Sequence, residues 1–176
     1  VVLPNVSSLR ALRQSAARLG DLSGPRRSFV GFGDPIFDRD ATGGGPTGLV
    51  GEDGYVSRGG FEQLRAVAGL APLPGTAREL RKLATLTGVA DDALHLGLAA
   101  PESAVRAADL SDVDILAFAT HGLLAGELTA LAEPALVFTP PGEPGPEDDA
   151  LLPASEAAGL KLSAQLLILS ACNPAS

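Results

Sequence analysis

Three apolar runs of strand length constrain this fold more than any other feature: Ile115 to Ala119 within 114–120, Ala135 to Phe138, and Leu166 to Leu169. Each is nearly continuous rather than alternating, the pattern of a strand buried on both faces. Segments of helical spacing precede and separate them. Val6, Leu9, Leu12, Ala16 and Leu19 recur at threes and fours with Arg10, Arg13 and Arg18 opposite, which predicts an amphipathic helix between Pro4 and Leu19. A further helix is predicted through Phe61, Leu64, Val67 and Ala68. Another opens at Thr76, with Glu79 completing a capping box, and runs to Thr87; short helices are expected at 103–109 and 155–159. Arg27 to Gly33 and Ala93 to Leu98 complete the expected strands. Strands alternating with helices predict an α/β fold whose sheet has parallel members.

The chain has 176 residues, enough for one domain with its own core. No apolar run approaches the roughly 18 residues of a membrane span, and the N-terminus lacks a basic stretch followed by an apolar one, so neither a membrane nor a secreted protein is expected. A cytoplasmic location follows from that reading. With one cysteine, Cys172, there is no internal disulfide, and no Cys/His cluster has metal-ligand spacing; no metal and no cofactor are expected. The chain starts at Val1 and contains no methionine, which suggests a piece of a longer polypeptide.

Charge is divided unevenly. Residues 1–100 carry 11 basic and 10 acidic side chains, whereas residues 101–176 carry 2 basic and 11 acidic. No basic patch is available for a nucleic acid, and cationic partners or substrates fit better. Four of the acids lie in the proline-rich and glycine-rich loop 139–149. Residues 39–60 hold eight glycines but lack both the Gly-Lys-Ser/Thr of a phosphate loop and its strand-loop-helix setting.

In α/β sheets the working groups sit beyond the carboxyl ends of strands. His121-Gly122 follows the strand 114–120, and Cys172 follows the strand 165–170. If these strands are parallel neighbours, imidazole and thiol leave the sheet along one edge. A His beside a Cys can take the thiol proton and yield thiolate at neutral pH. The backbone N–H groups of Gly122 and Cys172 could then form an oxyanion hole. The bland readings compete: a lone cysteine is more often a small buried hydrophobe, and a His after a strand is more often a polar cap. His95, inside a strand, reads as structural, and no Gly-x-Ser-x-Gly surrounds Ser170.

Ala117-Phe118-Ala119-Thr120-His121-Gly122 and Leu167-Ile168-Leu169-Ser170-Ala171-Cys172-Asn173 together resemble the two signature segments of the CHAT family, caspase-like cysteine peptidases commonly fused to tetratricopeptide repeats. Supporting matches occur in order at Gly31 to Pro35, Leu73 to Glu79 and Ala150 to Ala157. The resemblance implies a caspase-like three-layer sandwich over residues 28–176, C-terminally incomplete, preceded by a helical lead-in at 1–27. It also implies His121 as general base, Cys172 as nucleophile, and Gly122 and Cys172 N–H groups as oxyanion donors. The partners it implies are a protein or peptide substrate, with a basic one suited to the acidic surplus, and a tetratricopeptide region of the same bacterial polypeptide. The alternative is an inactive caspase-like scaffold. Pro174 stands where the family usually has Thr, and the family continues beyond Ser176 with elements that complete the cleft.

Overall fold

The computed structural model of the chain describes residues 27–38, 64–128, 131–142 and 148–170. The helix expected at 4–19, the glycine-rich segment 39–60 and Cys172 lie outside those residues.

A four-stranded sheet forms the centre, in the order β2-β1-β3-β7. Its strands are β1 (Arg27–Gly33), β2 (Leu94–Leu96), β3 (Val113–Ala119) and β7 (Leu166–Leu169), and every neighbouring pair is parallel. Parallel neighbours need crossovers, and the helices between them supply these. The sheet is thus the flanked α/β sheet that the apolar runs predict, with β3 and β7 side by side.

Helix α1 (Pro74–Thr87) covers one face. Its buried Ala77, Leu80 and Ala84 form a stripe at helical spacing. Leu80 and Ala84 pack with Phe29, Ala117 and Ala119 of the sheet. The helix starts three residues earlier than the capping-box reading expects, with Leu73 and not Thr76 at the N-cap. Pro74 occupies the first turn, where a missing N–H costs nothing and the fixed φ suits a helix. Thr76 is therefore inside that turn, and its hydroxyl donates to the carbonyl of Leu73 at 2.8 Å rather than capping the helix. Gly88, at φ 72°, ends α1 in the left-handed conformation that glycine adopts without strain.

The opposite face, through Val30, Phe32, Leu116 and Phe118, packs with Val105 of α2 (Glu102–Ala107) and with Phe138 and Leu152. A second, antiparallel sheet lies on that side, made of β4 (Gly122–Leu123), β5 (Ala135–Val137) and β6 (Leu151–Pro153), which leads into α3 (Ala154–Ala157). The run 135–138 thus belongs to this small sheet and not to the parallel one. It is buried because a third apolar cluster, with Phe37, Val67 and Leu131, fills the space beside it.

Two further expectations change. The strand expected at 93–98 shortens to Leu94–Leu96 between single turns of 3₁₀ helix. β7, expected to be buried on both faces, forms the sheet border among the described residues, with Leu166, Leu167 and Leu169 50%, 47% and 57% exposed. An apolar run reports a strand that needs cover, but not where that cover comes from.

Candidate active site

The site grows from the carboxyl ends of β1, β3 and β7. Phe118 of β3 pairs with Leu169 of β7, and the N–H of Ser170 continues the ladder to the Phe118 carbonyl at 2.8 Å. The chain leaving β3 reaches His121 two residues beyond the strand, and the chain leaving β7 reaches Ser170 directly. Parallel strands lie about 5 Å apart, so both exits share one edge. Cys172, two residues past Ser170, lies outside the described residues, and so does its backbone N–H.

His121 is buried, with 4% of its surface exposed. Its Nε2 lies 2.8 Å from the carbonyl oxygen of Ala71, in the connection between the helical turn 64–68 and α1. A carbonyl only accepts, so Nε2 carries the hydrogen and donates it. In a neutral ring that assignment leaves Nδ1 as the basic nitrogen. The Phe37 ring, 5.3 Å away and tilted by 33°, packs against the imidazole. The His121 backbone is fixed as well, since its carbonyl accepts the N–H of Val137 at 2.9 Å. This side chain is a held, buried imidazole.

Gly122 opens β4 opposite Leu136. Bonded and non-bonded pairs alternate in an antiparallel ladder. Because His121 and Val137 form the bonded pair, Gly122 and Leu136 form the non-bonded one, and the Gly122 N–H turns away from β5. An oxyanion donor needs an N–H that the ladder does not use.

The rim near α1 carries polar groups that the sequence did not place at this edge. The N–H of Asp34, at the end of β1, donates to Thr76 Oγ1 at 2.9 Å. Burial raises the Asp34 carboxyl above its ordinary range, while the charge of Arg81 opposes the shift. Ser170 Oγ donates to Glu79 Oε2 at 3.1 Å. Gly33 is required here by a close approach: a Cβ would lie 2.6 Å from Leu80 Cδ1 and 2.8 Å from the Ala119 carbonyl. The Gly-x-Gly-Asp-Pro segment signals the turn, but none of its contacts.

Other features lie apart from this edge. His95 stacks on Phe32 with ring centroids 4.5 Å apart and planes 9° off parallel, the structural role expected of it. A cavity of about 740 Å³ opens beside α2 and α3, and His121 is not in its lining. Arg106 in that wall already pairs with Glu102 and Glu156. Among the described residues, no group of three or more His, Cys, Asp and Glu could hold a metal ion, and no helix is long and apolar enough to cross a membrane.

Comparison with protein families matches the CHAT domain over residues 1–176. This chain belongs to the CHAT family. The CHAT family is peptidase-like as a class. The parallel sheet flanked by helices is consistent with a caspase-like CHAT fold. No curated protein and no solved structure matches the chain.

Proposed function

We propose that this CHAT domain is a cysteine endopeptidase working through a His121/Cys172 dyad. The observation that carries the reading is the Nε2–H bond from buried His121 to Ala71, at the edge where β3 and β7 emerge together. That bond commits Nε2 as donor, and the proposed reaction assigns proton transfer to Nδ1.

In the proposed reaction Nδ1 takes the Cys172 thiol proton, and the thiolate attacks the scissile carbonyl. The N–H groups of Gly122 and Cys172 donate to the resulting oxyanion. The imidazolium then gives its proton to the departing amine, leaving an acyl-thioenzyme. Water, deprotonated by His121, cleaves the thioester and restores the thiol. Ala71 acts throughout as an orienting acceptor. Neither a cofactor nor a metal has a part in this sequence. The substrate is a protein or peptide, and the acidic surplus of 101–176 favours a basic one. A tetratricopeptide region of the same bacterial, cytoplasmic polypeptide would present it.

The test is alkylation of Cys172 by iodoacetamide at pH 6. An activated thiolate reacts appreciably there, and His121→Ala slows it. Equal rates in the two proteins would return Cys172 to an ordinary thiol. The scaffold alternative draws on the half-exposed leucines of β7 and expects that equality.

A further inference from the structure

The segment that begins α1 is tied to both strand exits. On one side the Ala71 carbonyl, three residues before α1, accepts from His121 beyond β3. On the other, Glu79 in the second turn of α1 accepts from Ser170, the first residue beyond β7. Between these two points Thr76 accepts from the backbone of Asp34 and donates to Leu73, which pins the leading turn to the end of β1. Leu80, one residue after Glu79, is buried against the sheet, so the helix cannot shift independently of it.

Glu79 has no capping duty, because α1 begins at Pro74 and its start has no side-chain cap. Its bond to Ser170 spans 91 residues of sequence. β7 is the strand that needs such a tie. Among the described residues it pairs on one side only, with β3, and the ladder reaches no further than Ser170. Strand ends with few partners open locally at low cost.

We infer that Glu79 is a positioning residue for the proposed dyad: through Ser170 it holds the exit of β7 against α1, so that the segment 71–79 ties down both the His121 ring and the strand end that precedes Cys172 in sequence. The inference rests on the dyad reading above. A general base acts only within hydrogen-bond reach of its proton, and small displacements of reacting groups cost rate steeply. The two roles open to Glu79 differ in sign. A carboxylate acting merely as a nearby negative charge disfavours the thiolate, whereas a carboxylate that positions the thiol beside His121 favours it. Arg78, Arg81 and Lys82 share the helix with Glu79 and are unchanged in every variant below.

The experiment measures the iodoacetamide alkylation rate of Cys172 from pH 5 to pH 9, together with Tm, in the whole chain. The proteins compared are wild type, Glu79→Ala, Glu79→Gln, Ser170→Ala and His121→Ala. Glu79→Ala and Ser170→Ala should each slow alkylation at pH 6 about fivefold, the worth of one solvent-accessible hydrogen bond, and should move the inflection to higher pH with little change in Tm. Glu79→Gln, whose amide oxygen still accepts from Ser170, should stay close to wild type. Faster alkylation in both Glu79 variants would show a charge effect and overturn the inference. So would wild-type rates in Glu79→Ala and Ser170→Ala while His121→Ala is slow. If His121→Ala itself matches wild type, the dyad reading fails and the inference falls with it.

Discussion

His121 Nε2 donates to the carbonyl oxygen of Ala71 over 2.8 Å, although the two residues are 50 positions apart. One bond fixes the ring orientation and the tautomer together. Any residue with a backbone carbonyl could serve, which is why Ala71 leaves no trace in the sequence pattern.

The first prediction concerns the two glycines of β1. Gly33→Ala places a methyl 2.8 Å from a backbone oxygen of β3, so the two strands must part, and we expect a loss of at least about 2 kcal/mol. Gly31→Ala meets only the side-chain ends of Leu80, Leu94 and Phe29, all at 3.1 Å, and should cost about 1 kcal/mol. Urea denaturation of both variants gives the order, and equal midpoints would contradict it.

Thr139 is fully buried, and its hydroxyl does two jobs. It accepts the N–H of Ile36 at 3.0 Å and donates to the Gly97 carbonyl at 2.7 Å. Thr139→Val keeps the shape but strands both backbone groups, for an expected loss of about 2 kcal/mol or more. A melting temperature within 1 °C of wild type, on the order of a negligible change for this size, would show that water reaches those groups.

Glu102 provides a pH test. Its side chain is 1% exposed, and burial pushes its carboxyl up to about 7 despite the Arg106 guanidinium and the Asp149 N–H. Because the folded value lies above the ordinary 4.5, the folded state favours the protonated form. The resulting stabilisation is complete below the unfolded value and is lost as pH rises from about 4.5 to about 7. Glu102→Gln removes this dependence. The stability of wild type relative to the variant should fall by roughly 3 kcal/mol across that window and then level off. Denaturation at pH 4.5, 6 and 8 reads the difference, and a rise instead of a fall would show that Arg106 outweighs burial.

Leu116 and Leu167 are register partners on neighbouring strands with opposite fates. Leu116 is fully buried, and Leu116→Ala should cost about 3 kcal/mol. Leu167 is 47% exposed, and Leu167→Ala should cost less than about 1 kcal/mol. Comparable losses would mean that β7 is covered in solution.

The sequence by itself determined where the strands of the parallel sheet lie and that His121 and Cys172 follow two of them. Continuous apolar runs report strands that need cover, and that need is written in local side chains. It also carried the family, because both signature segments are contiguous. The tertiary structure alone decided the rest. It placed β3 beside β7 in parallel register, moved 135–138 into a separate antiparallel sheet, and set β7 at the sheet border. It also took Glu79 from the expected capping box to Ser170, since Pro74 starts the helix earlier. These choices join residues distant in sequence, and the orienting acceptor at Ala71 is backbone common to every residue type. A local pattern of side chains encodes the need for a partner, while only the folded chain decides which partner is within reach.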